Sequence, residues 1–140
     1  MAKVYSTARV VRFGECDPAG VVYYPVYFNW FHETMESWFE TGLNLPYAAF
    51  LQDYGLPAVE TSAQFRRPLI VGEKIAIELR VEEMGNSSIL LSFSVVSVEN
   101  KVKATGNVRC VCIQQTEDGF DFRSAPIPQS LRDSIEPYLI

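Results

Sequence analysis

Residues 23–42 read YYPVYFNWFHETMESWFETG, and this stretch decides the fold. Tyr27, Phe28, Phe31, Met35, Trp38 and Phe39 recur at helical spacing, so they share one side of a long helix. Pro25 suits the first turn, where its missing N–H would have had no partner. Gly42 is placed to stop the helix. Eight aromatic residues lie between Tyr23 and Phe39, and Trp30 adds bulk off the main stripe. A helix this apolar must be enclosed, and a sheet wrapped around it does so.

The flanks supply that sheet. Upstream, Val4 to Phe13 is rich in β-branched and aromatic residues and predicts a first strand, followed by a glycine- and proline-bearing loop from Gly14 to Gly20. Downstream, a short helical turn is expected after Pro46, through Ala49 to Gln52. Beyond about residue 58 the period becomes two. Ile75, Ile77, Leu79 and Val81 alternate with charged or small neighbours, a half-buried strand. Gly85-Asn86-Ser87 reads as a turn, and Ile89, Leu91, Phe93 and Val95 share a face of the next strand. Asn100-Lys101 marks a second turn before a strand carrying Ala104, Gly106, Val108, Cys110 and Cys112 on one face. Glu117-Asp118-Gly119 turns into a short Phe120–Phe122 strand, and the tail from Pro128 to Leu139 predicts a short helix limited by Pro137. One long helix with a run of antiparallel strands is an α+β fold.

Composition narrows the function. A length of 140 residues predicts one domain spanning 1–140, with enough chain for a core that needs no staples. The net charge of −5 argues against a nucleic-acid partner, which requires a basic stripe. No run of about 20 apolar residues predicts a membrane span, and no apolar leader stands at the N-terminus, so a cytoplasmic location is expected. Cys16, Cys110 and Cys112 make an odd count, which argues against a disulfide framework, and the last two read as small buried hydrophobes. His32 is the sole histidine, and no metal-ligand spacing, nucleophile elbow or phosphate-binding glycine loop is present. No metal and no cofactor is expected.

The chemistry is carried by the loop before the helix, Phe13-Gly14-Glu15-Cys16-Asp17-Pro18-Ala19-Gly20-Val21-Val22-Tyr23-Tyr24-Pro25. Pro18 fixes φ after Asp17, and Gly20 can take a positive φ. The loop can therefore fold back so that Asp17 faces the helix N-terminus, with its unpaired N–H groups and partial positive charge. That terminus favours a carbonyl oxygen gaining negative charge, while the carboxylate attacks or activates water, an arrangement suited to acyl transfer or hydrolysis. The same residues would also serve as an ordinary turn with Asp17 as a helix cap.

Extended through Tyr27 and Trp30, this string resembles the active-site motif of the 4-hydroxybenzoyl-CoA thioesterase family, enzymes of hot-dog fold that hydrolyse acyl-CoA thioesters. Phe65-Arg66-Arg67-Pro68-Leu69, followed by Gly72-Glu73, resembles that family's strand entry. The resemblance implies an antiparallel sheet around one central helix, a homodimer with a continuous sheet assembling into a homotetramer, and active sites between subunits. It implies that Asp17 is the nucleophile or general base, that the Tyr24 N–H binds the thioester carbonyl, and that Gly20 lets the loop turn under the helix. CoA belongs to the substrate.

Two positions depart from the family. His32 stands where the hydroxybenzoyl-specific enzymes carry an acid for the ring hydroxyl, which argues against 4-hydroxybenzoyl specificity and leaves hydrolysis intact. Tyr24-Pro25 favours the aromatic branch, so an aromatic, benzoyl-type acyl group is the expectation. Met84-Gly85-Asn86-Ser87-Ser88 lacks the basic cluster that contacts CoA phosphates there, which leaves Arg66, Arg67, Lys101 or Lys103 for that role. Tyr23 and Tyr27 are candidates for the acyl wall, His32 for a ring partner or a base, and Thr61 or Ser62 for holding water. Cys16 beside Asp17 lacks an evident base and is a weak nucleophile candidate. Two alternatives stay open: a broad short-chain aliphatic acyl-CoA thioesterase of the Tol–Pal-associated type, which usually has His where Tyr24 stands, and a non-catalytic acyl-binding dimerisation domain. A hot-dog dehydratase is disfavoured, because Val22 stands where its D-x-x-x-x-H pattern needs histidine.

Overall fold

The computed structural model describes all of residues 1–140. Strand β1 (Tyr5–Val10) is followed by a 3-10 turn at Phe13–Glu15 and helix α1 (Pro25–Ser37). The short helix α2 (Tyr47–Phe50), the two-residue β2 (Tyr54–Gly55) and β3 (Ala58–Phe65) come next. Strands β4 (Lys74–Met84), β5 (Ser88–Ser97) and β6 (Val102–Val111) form the meander, and β7 (Ile113–Thr116), β8 (Gly119–Ser124) and helix α3 (Gln129–Ile135) complete the chain. The main sheet has five antiparallel strands in the order β1-β4-β5-β6-β3, and a small sheet has the order β2-β7-β8. This is the expected α+β arrangement, with the first strand shorter than the sequence pattern suggested.

The period-two pattern explains the core. Ile75, Ile77, Leu79 and Val81 of β4 and Ile89, Leu91, Phe93 and Val95 of β5 all face inward and are buried. Helix α1 lies against them with Tyr27, Trp30, Phe31 and Met35 buried. The Phe31 ring stacks on Phe93 with centroids 4.7 Å apart. Each such apolar side chain, fully buried, contributes roughly 1.5–3 kcal/mol. Trp30, expected off the stripe, is also enclosed: the Arg9 guanidinium from β1 lies 5.2 Å from its ring centre. Trp30 is thus covered by the edge strand β1 of the main sheet and by Glu15 of the loop that precedes the helix, which accepts from Trp30 Nε1.

Gly42 does not stop the helix by turning left-handed. Helix α1 runs on through a π-type turn at Trp38–Gly42, and Asn44 takes the positive φ of 53°. Gly42 is instead a close-packing residue, since an added Cβ would lie 2.6 Å from Trp38 Cδ1 and 3.1 Å from Tyr138 Oη. The stretch from Phe65 through Gly72-Glu73 joins two strands: Phe65 closes β3, and Lys74, directly after Glu73, opens β4.

Gly106 of β6 lies between Phe93 and Ala63 on the neighbouring strands, directly beneath Phe31. A Cβ there would meet Phe31 Cζ at 2.8 Å, with Cε2 closer still, and Ser62 O at 3.1 Å. Gly106→Ala is expected to destabilise the chain by about 1–3 kcal/mol through overpacking, seen as a melting temperature lowered by several degrees.

Strand β3 is a free edge. Val59 and Phe65 are exposed on it, and its outer row of backbone N–H and C=O groups has no partner strand. No helix is long and apolar enough to cross a membrane.

Candidate active site

The loop before α1 folds as a tight turn. Asp17 N–H donates to Val21 O at 2.9 Å, Gly20 N–H donates to Asp17 O at 2.9 Å, and Gly20 has φ +84°. Asp17 Oδ1 accepts from Ala19 N–H at 2.9 Å, which fixes one carboxylate oxygen and leaves Oδ2 without a partner in the chain. The turn is tied to the rest of the protein by Val22 N–H donating to Leu69 O and by Tyr23 N–H donating to Glu15 O.

The start of α1 has one unclaimed donor. Pro25 has no N–H, Val26 N–H donates to Tyr23 O, and Tyr27 N–H donates to Tyr24 O. Tyr24 N–H donates to nothing in the chain. The first turn carries no acidic residue that would offset the positive end of the helix. Asp17 and Tyr24 line one cleft of about 310 Å³, together with Tyr27, Phe65, Arg66 and Arg67. Asp17 is half-buried there, and Tyr24 is exposed. Tyr27 is buried at the base of the cleft, its ring 5.0 Å from that of Phe65. Burial pushes its hydroxyl pKa up to about 12, with the charges of Glu73 and Cys16 adding to the effect, so it stays protonated at neutral pH.

Arg66 and Arg67 have no acidic partner, and Arg66 Nη2 donates to Gln64 Oε1 at 3.1 Å. Lys101 is paired with Glu99 and Lys103 with Glu73, each at 3.6 Å. Of the four basic candidates for phosphate contact, the two arginines are both unpaired and in the Asp17 cleft.

The remaining candidates lie elsewhere. His32 and Thr61 line a second, larger cavity of about 570 Å³ between α1 and the sheet. His32 Nε2 lies 3.3 Å from Glu36 Oε2, and Thr61 Oγ1 donates to Asn107 O at 2.9 Å. Tyr23 is exposed and packs edge-on against Tyr24 with centroids 5.4 Å apart. Ser62 is exposed on the β3 edge, outside both spaces. Cys16 Sγ faces Arg12 O at 3.7 Å. Cys110 and Cys112 are buried, and burial pushes the Cys110 thiol up to about 11 and raises that of Cys112.

Glu15, to which no sequence motif assigns a role, braces the loop. Its Oε1 accepts from Arg12 N–H at 2.7 Å, and its Oε2 accepts from Trp30 Nε1 at 2.8 Å and from the Arg9 guanidinium. Burial pushes the Glu15 carboxyl up, but these three hydrogen bonds and the Arg9 charge outweigh it and hold the group below its usual 4.5. A depressed folded value stabilises the fold above pH 4.5, and the gain is lost as pH falls through the lowered value. Glu15→Gln is expected to cost about 1–3 kcal/mol at neutral pH. Urea unfolding of parent and variant should show that gap closing as the pH is taken below 4.5.

A fixed carboxylate beside an unclaimed helix-start N–H is a site for attack on a carbonyl. Its scaffold, an antiparallel sheet against one long helix, is a hot-dog fold. Residues 11–135 match the family described as the thioesterase-like superfamily. The chain is 35% identical over 114 residues to a 1,4-dihydroxy-2-naphthoyl-CoA hydrolase of Prochlorococcus marinus (strain MIT 9313), covering 75% of this chain and 74% of the relative. A solved 1,4-dihydroxy-2-naphthoyl-CoA thioesterase from Synechocystis superposes with a TM-score of 0.84 at 25% identity, covering 95% of this chain and 96% of that one. A solved gentisyl-coenzyme A thioesterase superposes with a TM-score of 0.79 at 30% identity, covering 95% and 99%. The chain belongs to the thioesterase-like superfamily and is a thioester hydrolase.

Proposed function

We propose that the chain hydrolyses an aromatic acyl-CoA to the free acid and CoA, in the manner of the 4-hydroxybenzoyl-CoA thioesterase family. The observation that carries this reading is the meeting of Asp17 and the unclaimed Tyr24 N–H in one cleft. The aromatic preference is supported by the hydrolase and thioesterases just named, which act on naphthoyl and gentisyl thioesters. The thioester carbonyl oxygen accepts from Tyr24 N–H, where the helix terminus favours its developing charge. Asp17 then attacks the carbonyl carbon, the C–S bond breaks, CoA leaves as thiolate and takes up a proton, and water cleaves the resulting anhydride. In the alternative route Asp17 removes a proton from a water that attacks directly. Carboxylates are weak bases at neutral pH, which favours the covalent route.

In this reading Gly20 shapes the turn, and Arg66 and Arg67 hold the CoA phosphates. Tyr27 bounds the cleft, Tyr23 backs Tyr24 from outside it, His32 meets a polar substituent on the ring, and Thr61 contacts the acyl group. Two copies pair through β3, whose open edge and exposed Val59 and Phe65 suit a continuous sheet, and the dimers pair again into a tetramer. Thiol release from benzoyl-CoA, hydroxybenzoyl-CoA and short-chain acyl-CoAs tests the activity. Preferred turnover of the aromatic thioesters supports the reading, and turnover of the short-chain thioesters alone contradicts it.

A further inference from the structure

The spacing between Asp17 and the helix start is not fixed by the Asp17 turn alone. The turn is closed by its own bonds: Asp17 N–H to Val21 O, Gly20 N–H to Asp17 O, and Ala19 N–H to Asp17 Oδ1. These set its shape but not its placement against α1. The placement comes from the neck of the turn. On one side Val22 N–H donates to Leu69 O. On the other Glu15 O accepts from Tyr23 N–H at 2.9 Å, one residue before the unclaimed Tyr24 donor. The Glu15 side chain supplies the one hydrogen bond from residues 13–22 to the helix itself, its Oε2 accepting from Trp30 Nε1 at 2.8 Å. Trp30 lies about 9 Å along the axis from Tyr24, at ~1.5 Å per residue.

This anchor joins three elements. Arg9 of β1 donates to the same Glu15 Oε2, and its Nη1 donates to Glu33 Oε2 on α1 at 3.1 Å. Its guanidinium also lies over the Trp30 ring. Glu15 Oε1 accepts from Arg12 N–H. Both oxygens accept and no donor is called for, which suits a carboxylate and not an amide. Glu15 does not line the cleft, so it is not placed to touch the substrate. We propose that Glu15 is a positioning residue for the hydrolysis. Its carboxylate, held by Trp30 and Arg9, sets how the Asp17 turn stands against the start of α1, and with it the gap between Asp17 and a carbonyl bound at Tyr24 N–H. The proposal rests on the thioesterase reading above. Attack needs the reacting atoms about 3–3.5 Å apart, and a misplacement of about 1 Å can cost about 10²-fold in rate. Loss of the anchor therefore acts on the chemical step, while Arg66 and Arg67, which make no contact with it, go on holding the substrate.

The test measures kcat and KM by thiol release, on benzoyl-CoA or hydroxybenzoyl-CoA, whichever the parent cleaves faster, well below every melting temperature. Glu15→Gln should lower kcat by about tenfold or more and leave KM within about threefold. Trp30→Phe keeps a ring but deletes the Nε1 donor, and it should lower kcat by about threefold or more. The double variant should fall no further than Glu15→Gln alone, because both changes remove the same bond. Gly42→Ala is the control for stability. It overpacks Trp38 at the far end of the helix and should melt earlier with the kcat of the parent. Should Glu15→Gln not fold, Trp30→Phe carries the test. A folded Glu15→Gln with the parental kcat, or one altered in KM only, overturns the proposal and leaves the thioesterase reading standing. A loss of kcat that Gly42→Ala shares, or single losses that multiply in the double variant, also overturns it. A parent that cleaves neither thioester overturns that reading, and the proposal with it.

Discussion

Asp17→Asn is expected to remain folded and to lose at least about a thousandfold in kcat for thioester hydrolysis. The fold should survive because the side chain makes a single hydrogen bond, accepted from Ala19 N–H, and an asparagine oxygen can accept the same bond. Asp17 is only half-buried, so no core contact is lost. The rate should fall because an amide neither attacks a thioester carbonyl nor takes a proton from water at neutral pH. Circular dichroism with a melting curve checks the first half of the expectation, and steady-state thiol release checks the second. A variant that melts with the parent and hydrolyses like the parent removes Asp17 from the chemistry.

Tyr24→Pro is expected to lower kcat by about 10²–10³, the loss typical of removing one oxyanion donor. The substitution deletes the one helix-start N–H without a partner in the chain. Tyr24 already has φ −55°, within the range proline imposes, so the helix start can keep its path. Tyr24→Ala provides the contrast. It removes an exposed ring but keeps the N–H, and it is expected to retain most of the activity. Equal losses in both variants would assign the effect to the ring and its contacts with Tyr23 and Phe65 rather than to the backbone donor.

Helix α1 is legible in the sequence because two independent signals coincide there. Aromatic residues at helical spacing marked the element, and Pro25 marked its start. The strands β4 and β5 were legible for a similar reason, since each buries one face, with strict alternation from Lys74 to Val81 and from Ser88 to Val95. Gly42 misled because glycine at a helix end has two uses, a left-handed turn and close packing, and only the positions of Trp38 and Tyr138 decide between them. Trp30 looked peripheral because a stripe counted on one face ignores the edge strand and the loop beside it, here Arg9 of β1 and Glu15 of the following turn.

The candidate site was readable only as far as it is local. Asp17, Gly20 and Tyr24 lie within eight residues, and turn chemistry alone brings them near the helix start. Arg66 and Arg67 reach the same cleft from the end of β3, a placement set by the pairing of β3 with β6. The larger cavity draws on α1, α2 and the β7–β8 hairpin, so that Phe28 and Phe122, far apart in the chain, line one space. No local pattern encodes such a meeting. Glu15 had a faint signal, an acid three residues after Arg12 at the start of a 3-10 turn, but its bond to Trp30 depends on the helix being in place.

The most direct test is a crystal structure of the Asp17→Asn protein with an aromatic acyl-CoA bound. The account predicts the thioester oxygen about 3 Å from Tyr24 N and the side chain at position 17 about 3–3.5 Å from the carbonyl carbon. A thioester held elsewhere, with position 17 turned to solvent and Tyr24 N–H facing water, would contradict it.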